Sequence, residues 1–208
     1  MTNSAVPASH DALAPSPWIV RYAHLVPSGA RVLDLACGSG RHARLFAGRG
    51  ARVLAVDRDP VVLAAIDGLP GIETRVADLE GEVWPLAGER FDAIVVTKYL
   101  YRPRLAAIVA AINADGVLLY ETFACGNEAF GRPSNPDFLL ERDELLDLAR
   151  GRLTVVAFAQ GRVDEGGRST VVQRLAAVGP RRAWPSRLIP DTAGGVLAAG
   201  RPAPASVE

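Results

Sequence analysis

Three aspartates stand where an apolar run gives way to turn residues: Asp34, Asp57 and Asp78. Asp34 follows Arg31-Val32-Leu33 and precedes Leu35-Ala36-Cys37-Gly38-Ser39-Gly40, after which Arg41–Ala47 has helical spacing. That order reads as strand, glycine turn, helix. Gly38 and Gly40 supply backbone freedom and let a ligand come close to the main chain. The start of the helix aims unpaired N–H groups into the same crevice. A G-x-G turn alone says only that a nucleotide-like ligand is expected. The carboxylate of Asp34 beside it repels a pyrophosphate and welcomes a cation. Asp57 ends the run Arg52–Val56, seventeen positions after Gly40, where a carboxylate can accept both hydroxyls of a ribose. Nicotinamide folds use the same geometry, so Asp57 supports adenosine without choosing the cofactor.

A second group of reactive side chains follows. The apolar run Phe91–Val96 delivers Thr97-Lys98-Tyr99-Leu100-Tyr101-Arg102, and Gly116–Phe123 delivers Glu121 and Thr122. In open parallel sheets ligands bind beyond the carboxyl ends of the strands, so these residues share the edge at which chemistry is expected. Lys98, Tyr99 and Glu121 are the catalytic candidates, with Tyr101 beside them. Lys98 is the only lysine in the chain, and burial can bring a lysine toward neutrality. Arg102, Arg104 and Arg132 could hold an anionic acceptor by forked hydrogen bonds. Cys37 has no base beside it and reads as packing, as does His42. No metal site is expected, because the two cysteines, Cys37 and Cys125, lie far apart.

The elements that must position these groups are legible in order. Ser16 before Pro17 is a helix start, and Trp18, Tyr22 and Leu25 share one side. That helix can lid the crevice and bring Trp18 to the ligand. Strands are expected at 51–56, 71–77, 91–96 and 116–123, and helices at 61–66, 104–113 and 142–149. Residues 124–140 form a long polar excursion, read as a wall on the acceptor side. Residues 153–160 and 169–177 are two strands joined through a glycine-rich connection, Gly161 to Arg168. The chain of 208 residues then divides into a flexible N-terminus at 1–15, one domain at 16–178 and a tail rich in proline, arginine and glycine at 179–208.

Charge balances, with 23 basic against 23 acidic residues, so no global field draws the protein to nucleic acid. No apolar run reaches the roughly 18 residues of a membrane helix. Two unpaired cysteines suit a cytoplasmic protein.

The Asp34–Gly40 turn resembles the first motif of the class I, Rossmann-like S-adenosylmethionine-dependent methyltransferases, in which an acidic residue precedes G-x-G. The likeness runs from Ser16 to about Val178. It implies an α/β fold: a doubly wound, mostly parallel seven-stranded sheet with a C-terminal antiparallel hairpin. It implies S-adenosylmethionine as cofactor, a sulfonium with an α-ammonium and no phosphate. It implies that Asp78 holds the adenine amino group and Leu79 packs on the ring, with further cofactor contacts at Ala36, Arg58 and Thr97. The Asp34-Leu35-Ala36-Cys37-Gly38-Ser39-Gly40-Arg41-His42 turn and the stretch Asn135–Leu140 are similar to the tellurite-resistance methyltransferase group. Thr97-Lys98-Tyr99-Leu100 stands where the amino-methylating enzymes of adenine, cytosine and glutamine carry an Asn-Pro-Pro-Tyr-type tetrad. The expected activity is therefore in-line methyl transfer to a small-molecule acceptor, with an anionic acceptor in view. The alternatives are a non-catalytic cofactor-binding sensor or scaffold, and a nicotinamide-dependent oxidoreductase.

Overall fold

A computed structural model describes residues 14–185 apart from residue 166. Most of the expected flexible N-terminus, residues 1–13, and most of the expected tail, residues 186–208, lie outside the described residues. Seven strands form one sheet: β1 (Arg31–Leu35), β2 (Arg52–Asp57), β3 (Ile72–Val76), β4 (Phe91–Thr97), β5 (Ile112–Phe123), β6 (Thr154–Glu165) and β7 (Arg168–Val178). Their order is β3-β2-β1-β4-β5-β7-β6. Strands β1 to β5 are parallel, whereas β7 runs antiparallel to both β5 and β6. This is the expected doubly wound sheet with a closing hairpin.

Side chains alternate between two apolar layers, as the two-residue period of a strand demands. Leu33 and Leu35 of β1, Ile94 and Val96 of β4, and Leu118 and Tyr120 of β5 face one layer. Val32, Ala93, Val95, Val117 and Leu119 face the other. The first layer is closed by α4 (Leu105–Ala110) and α5 (Glu144–Ala149) through Leu105, Ile108, Leu145 and Leu148. The second is closed by α1 (Pro17–Tyr22), α2 (Arg41–Ala47) and α3 (Pro60–Ala64) through Ile19, Tyr22, Phe46 and Leu63. Near-continuous apolar strands follow from burial on both faces.

The start of α1 is set as expected. Ser16 Oγ accepts from the backbone N–H groups of Trp18 and Ile19, at 3.2 and 3.5 Å, and Pro17 fills the first helical position.

Two expectations need correction. The helix expected over 104–113 ends at Ala110, and β5 begins at Ile112. Asn113 donates its amide to Asp92 at 2.7 Å, and Ile112 pairs with Phe91 before the register shifts to Ala93–Val117. These pairings outweigh a helical period too short to hold without packing. The glycine-rich connection expected from Gly161 to Arg168 is mostly strand. Arg162 pairs with Val171, Val163 with Thr170 and Asp164 with Ser169. Bonds among polar side chains support this tip: Asp164 Oδ1 accepts from Arg162 Nε along β6 at 2.9 Å and from Ser169 Oγ across to β7 at 2.6 Å. The described start of the tail is docked: the Gly179 and Arg181 N–H groups donate to Gly116 O and Ala114 O, both at 2.8 Å. No helix among the described residues is long and apolar enough to cross a membrane.

The second motif glycine is fixed by packing. Gly40 has φ +73°, and a Cβ there would lie 2.5 Å from Ile66 Cδ1, a fully buried side chain. Gly40→Ala should cost about 2–4 kcal/mol in urea unfolding, from left-handed strain plus overpacking. Adding Ile66→Val should recover part of that loss; no recovery would assign the whole cost to the backbone.

Candidate active site

Parallel register brings the carboxyl ends of four strands to one edge. Leu35 lies opposite Val56 and Val96, and Thr97 lies opposite Glu121. The residues that follow therefore share one rim, and two cavities open along it.

The first, about 180 Å³, is walled by Ala36, Asp57, Arg58, Ala77, Asp78, Leu79, Glu80 and Tyr99. Five cofactor residues expected from the sequence, Ala36, Asp57, Arg58, Asp78 and Leu79, thus meet around one space. Three carboxylates face one arginine there. Asp57 is held in place by backbone: its Oδ2 accepts from Gly38 N–H at 2.8 Å and its Oδ1 from Asp59 N–H at 3.1 Å. A carboxylate has further lone pairs, so both oxygens can still accept from hydroxyls. Asp78 is braced likewise by Glu80 N–H at 2.9 Å.

Asp34 lies beneath this rim, on the α2 side of β1, and is 1% exposed. Its Oδ2 accepts from Ala43 N–H at 2.8 Å. Its Oδ1 is buried without a hydrogen-bond partner among the described residues. Burial pushes its pKa up to about 8, against the pull of the Ala43 N–H and Arg41; nearby Asp57 adds to the rise. An orphaned buried carboxylate oxygen is costly unless something positive completes it.

Not every expected cofactor residue reaches the first cavity. Trp18 meets Tyr22 in a tilted ring contact, centroids 4.6 Å apart, and packs against the second apolar layer. Thr97 Oγ1 sits 3.4 Å from His42 Nδ1. His42 is buried, and its Nε2 accepts from Ser16 N–H at 3.1 Å, which places the ring proton on Nδ1. Burial, with Arg41 and Lys98 nearby, lowers its pKa to about 3, so it is neutral and structural. Gly38, φ +54°, has open space where a Cβ would stand. At Gly40 the packing of Ile66 is by itself enough to require glycine. Burial, with Asp34 and Asp57 nearby, drives the Cys37 thiol pKa well above the ordinary range, consistent with an inert side chain.

The second cavity, about 870 Å³, has Lys98 and Glu121 in its floor. One wall is the loop carrying Asn127, Phe130 and Arg132; the other is the hairpin tip with Arg168, Ser169 and Thr170. Asn127 locks the loop to the tip: its Oδ1 accepts from Val171 N–H at 3.0 Å, and its Nδ2 donates to Pro133 O at 2.9 Å. The long excursion after β5 does form a wall of this cavity. Glu121 is committed on both sides. Its Oε2 accepts from Ser16 Oγ at 3.1 Å and pairs with Arg174 Nε at 2.7 Å. Lys98 has φ +55°, one of few non-glycine residues in the left-handed region, and burial with Arg41 nearby lowers its pKa, opposed by Glu121.

Three candidates for the acceptor side are relocated. Tyr99 lies in the wall of the first cavity, and burial raises its pKa, which makes it a poor base. Arg102 is consumed by structure: it chelates Glu144 at 2.9 Å through Nε and a terminal nitrogen, and bonds Asp137 O and Leu139 O. Arg104 bonds Gly81 O and Glu82 O and lies 5.6 Å from the Trp84 ring centroid. Of the three expected arginines, Arg102, Arg104 and Arg132, only Arg132 lines the second cavity. Arg168 and Arg174 were not singled out from the sequence; strand pairing alone places them, and no local pattern marks them.

The strand order, the acidic first cavity and its position beside a glycine turn are the arrangement that the resemblance to class I S-adenosylmethionine-dependent methyltransferases led one to expect. Residues 32–114 match a family described as a methyltransferase domain. A tRNA U34 carboxymethyltransferase from Alcanivorax borkumensis is 32% identical over 45% of this chain and 32% of its own length. A ubiquinone biosynthesis O-methyltransferase from Xanthomonas axonopodis pv. citri is 37% identical over 43% of this chain and 39% of its own. The chain thus spans well under half the length of the curated relatives it matches. Among solved structures, TehB from Haemophilus influenzae superposes with TM-score 0.69 at 20% identity, over 82% of this chain and 64% of that one. A Burkholderia thailandensis 1,6-didemethyltoxoflavin-N1-methyltransferase, solved with its substrate and S-adenosylhomocysteine, gives TM-score 0.57 at 24% identity, over 77% and 75%. These two share the fold.

Asp34 makes the stability pH-dependent with a definite sign. A carboxyl whose folded pKa is about 8 keeps its proton in the native chain while the unfolded chain, near pKa 3.9, has lost it. Native stability therefore falls as pH rises from about 4 to about 8, by up to about 1.4 kcal/mol per pH unit. Asp34→Asn should remove that part of the slope in thermal melts across this range. It should also weaken S-adenosylhomocysteine binding. An unchanged slope would assign the effect to another group.

Proposed function

We propose that the chain catalyses methyl transfer from S-adenosylmethionine to a small-molecule acceptor held in the second cavity. The observation that carries this is the adjacency of two unlike cavities on one rim: an acidic one of about 180 Å³ and a larger one of about 870 Å³. Neighbouring residues, Tyr99 and Lys98, line one each.

The residues fit the cofactor. Asp57 would accept from the ribose hydroxyls, Asp78 from the adenine amino group, and Leu79 would pack on the ring. Asp34 Oδ1, otherwise unpartnered, would be completed from the cationic end of the molecule. When bound, S-adenosylmethionine supplies a methyl group on sulfonium, already activated toward a nucleophile. The remaining work of the protein is orientation and exclusion of water. Lys98 stands at the floor of the acceptor cavity with its pKa depressed, suited to steering an acceptor atom or taking its proton. Glu121 holds Ser16 and Arg174, which ties α1 to the acceptor floor and makes it a positioning residue.

One matched relative is named for tRNA. A chain with zero formal net charge, four of whose cations line the second cavity, supports a small acceptor better than a nucleic-acid surface.

Asp57→Ala should weaken S-adenosylhomocysteine binding by about 1–3 kcal/mol in calorimetry. Unchanged affinity would remove Asp57 from the ribose role, and binding of NAD in preference would favour an oxidoreductase. Lys98→Ala should lower kcat for the true acceptor by about 10²-fold or more with cofactor affinity retained. Full activity in that variant would leave catalysis to orientation alone.

A further inference from the structure

Lys98, Arg132, Arg168 and Arg174 surround the second cavity, with Glu121 as their carboxylate. Glu121 is already matched to Arg174 at 2.7 Å. Among the described residues, Lys98, Arg132 and Arg168 have no ion-pair partner. A chain that is neutral overall therefore concentrates uncompensated positive charge in one concave space. Concave, low-dielectric walls strengthen such a field.

The same cavity has an apolar component. Phe123, Phe130 and Val172 line it. Phe130 is 44% exposed, and the Arg162 guanidinium lies 4.9 Å from its ring centroid. An exposed aromatic held in place at a cavity mouth offers a stacking surface. A volume of about 870 Å³ lies in the range of organic ligands and far exceeds what an inorganic oxyanion needs.

We propose, resting on the methyl-transfer reading above, that the acceptor is an organic anion: a carboxylate or phosphate ester on an apolar ring or chain. Arg132, from the loop after β5, and Arg168, from the hairpin tip, grip its charged group from opposite walls. The apolar body lies on Phe130 and Val172, and the nucleophilic atom is turned toward Lys98. Arginine suits this grip because its planar fork matches carboxylate and phosphate oxygens. Asn127 sets the separation of the walls, since its side chain bonds both the tip, at Val171, and the loop, at Pro133. Arg102, Arg104 and Arg174 are left out, because each is already bound to protein groups.

The test is calorimetric binding to the full chain, with and without S-adenosylhomocysteine, of aryl and alkyl carboxylates and phosphate monoesters. Each carboxylate is set beside its primary amide, each ester beside its parent alcohol, and selenite serves as an anion without an apolar body. At least one organic anion should bind about tenfold or more tighter than its neutral counterpart, as charge-assisted hydrogen bonds imply. The gap should shrink with added salt and close in the double variant Arg132→Gln, Arg168→Gln. Both side chains are exposed, so folding should survive, and S-adenosylhomocysteine affinity should be unchanged. Arg152→Gln, at the opposite edge of the sheet, should leave the gap intact. The proposal is overturned if the neutral compounds bind equally, if selenite matches the organic anions, if none binds at millimolar concentration, or if the gap survives the double variant. Failure of S-adenosylhomocysteine to bind, with the anion preference intact, would overturn the methyl-transfer reading instead.

Discussion

The rim of this protein exists because four parallel strands end at one level. Registers that set Leu35 beside Val56 and Val96, and Thr97 beside Glu121, are fixed by two-sided burial. A slip of one residue would turn every apolar side chain to the other layer. It would also send Asp34 to the α4 side, away from the Ala43 N–H that now holds it. The same pattern that fills the two apolar layers therefore decides which side chains reach the crevice. Stability and site geometry are one constraint here.

The N-terminal helix is joined to that rim by a single serine. Ser16 caps α1, donates its backbone N–H to His42 of α2 and its hydroxyl to Glu121 of β5. Glu121 in turn pairs with Arg174 of β7. Four elements meet at groups that are all mostly buried. A buried ion pair is an uncertain source of net stability, yet this one ties the start of the helix to β5 and β7. Neutral His42 completes the joint, since its tautomer is set by the N–H it accepts from Ser16.

The centre of the fold was legible because apolar period and glycine punctuation are local signals. β1, β2, β4 and the Ser16-Pro17 helix start all lie where their residues put them. So do the residues of the first cavity, since Ala36, Asp57 and Asp78 each directly end a strand or follow it closely. The second cavity was only half legible. Its long loop could be suspected from length, but Arg168 enters it through cross-strand pairing with Glu165, which no local pattern states. Gly161 and its polar neighbours looked like a turn because a two-stranded tip exposed to water lacks an apolar face to betray it. Arg102 and Arg104 looked like ligands because an arginine beside a rim has the same letter whether it meets substrate or carbonyl oxygens. Tyr99 lines the first cavity and Lys98 the second for a related reason: consecutive residues after a strand point to opposite sides, and Lys98 turns through a left-handed backbone at that point.

The opposed charges of the two cavities have a chemical consequence. On the proposed reading, a sulfonium drawn to carboxylates and an acceptor drawn to arginines would approach each other with opposite charge. In their in-line reaction charge is neutralised along the path, so the transition state is less charged than the reactants. Water stabilises the separated ions more than that transition state and slows the step. A rim that replaces water with fixed, matched groups removes part of this handicap without needing a strong base. On that reading the acidic wall formed by Asp57 and Asp78 and the surplus cations of the second cavity belong to one arrangement. Each would hold its reactant by charge that is spent as the methyl group passes between them.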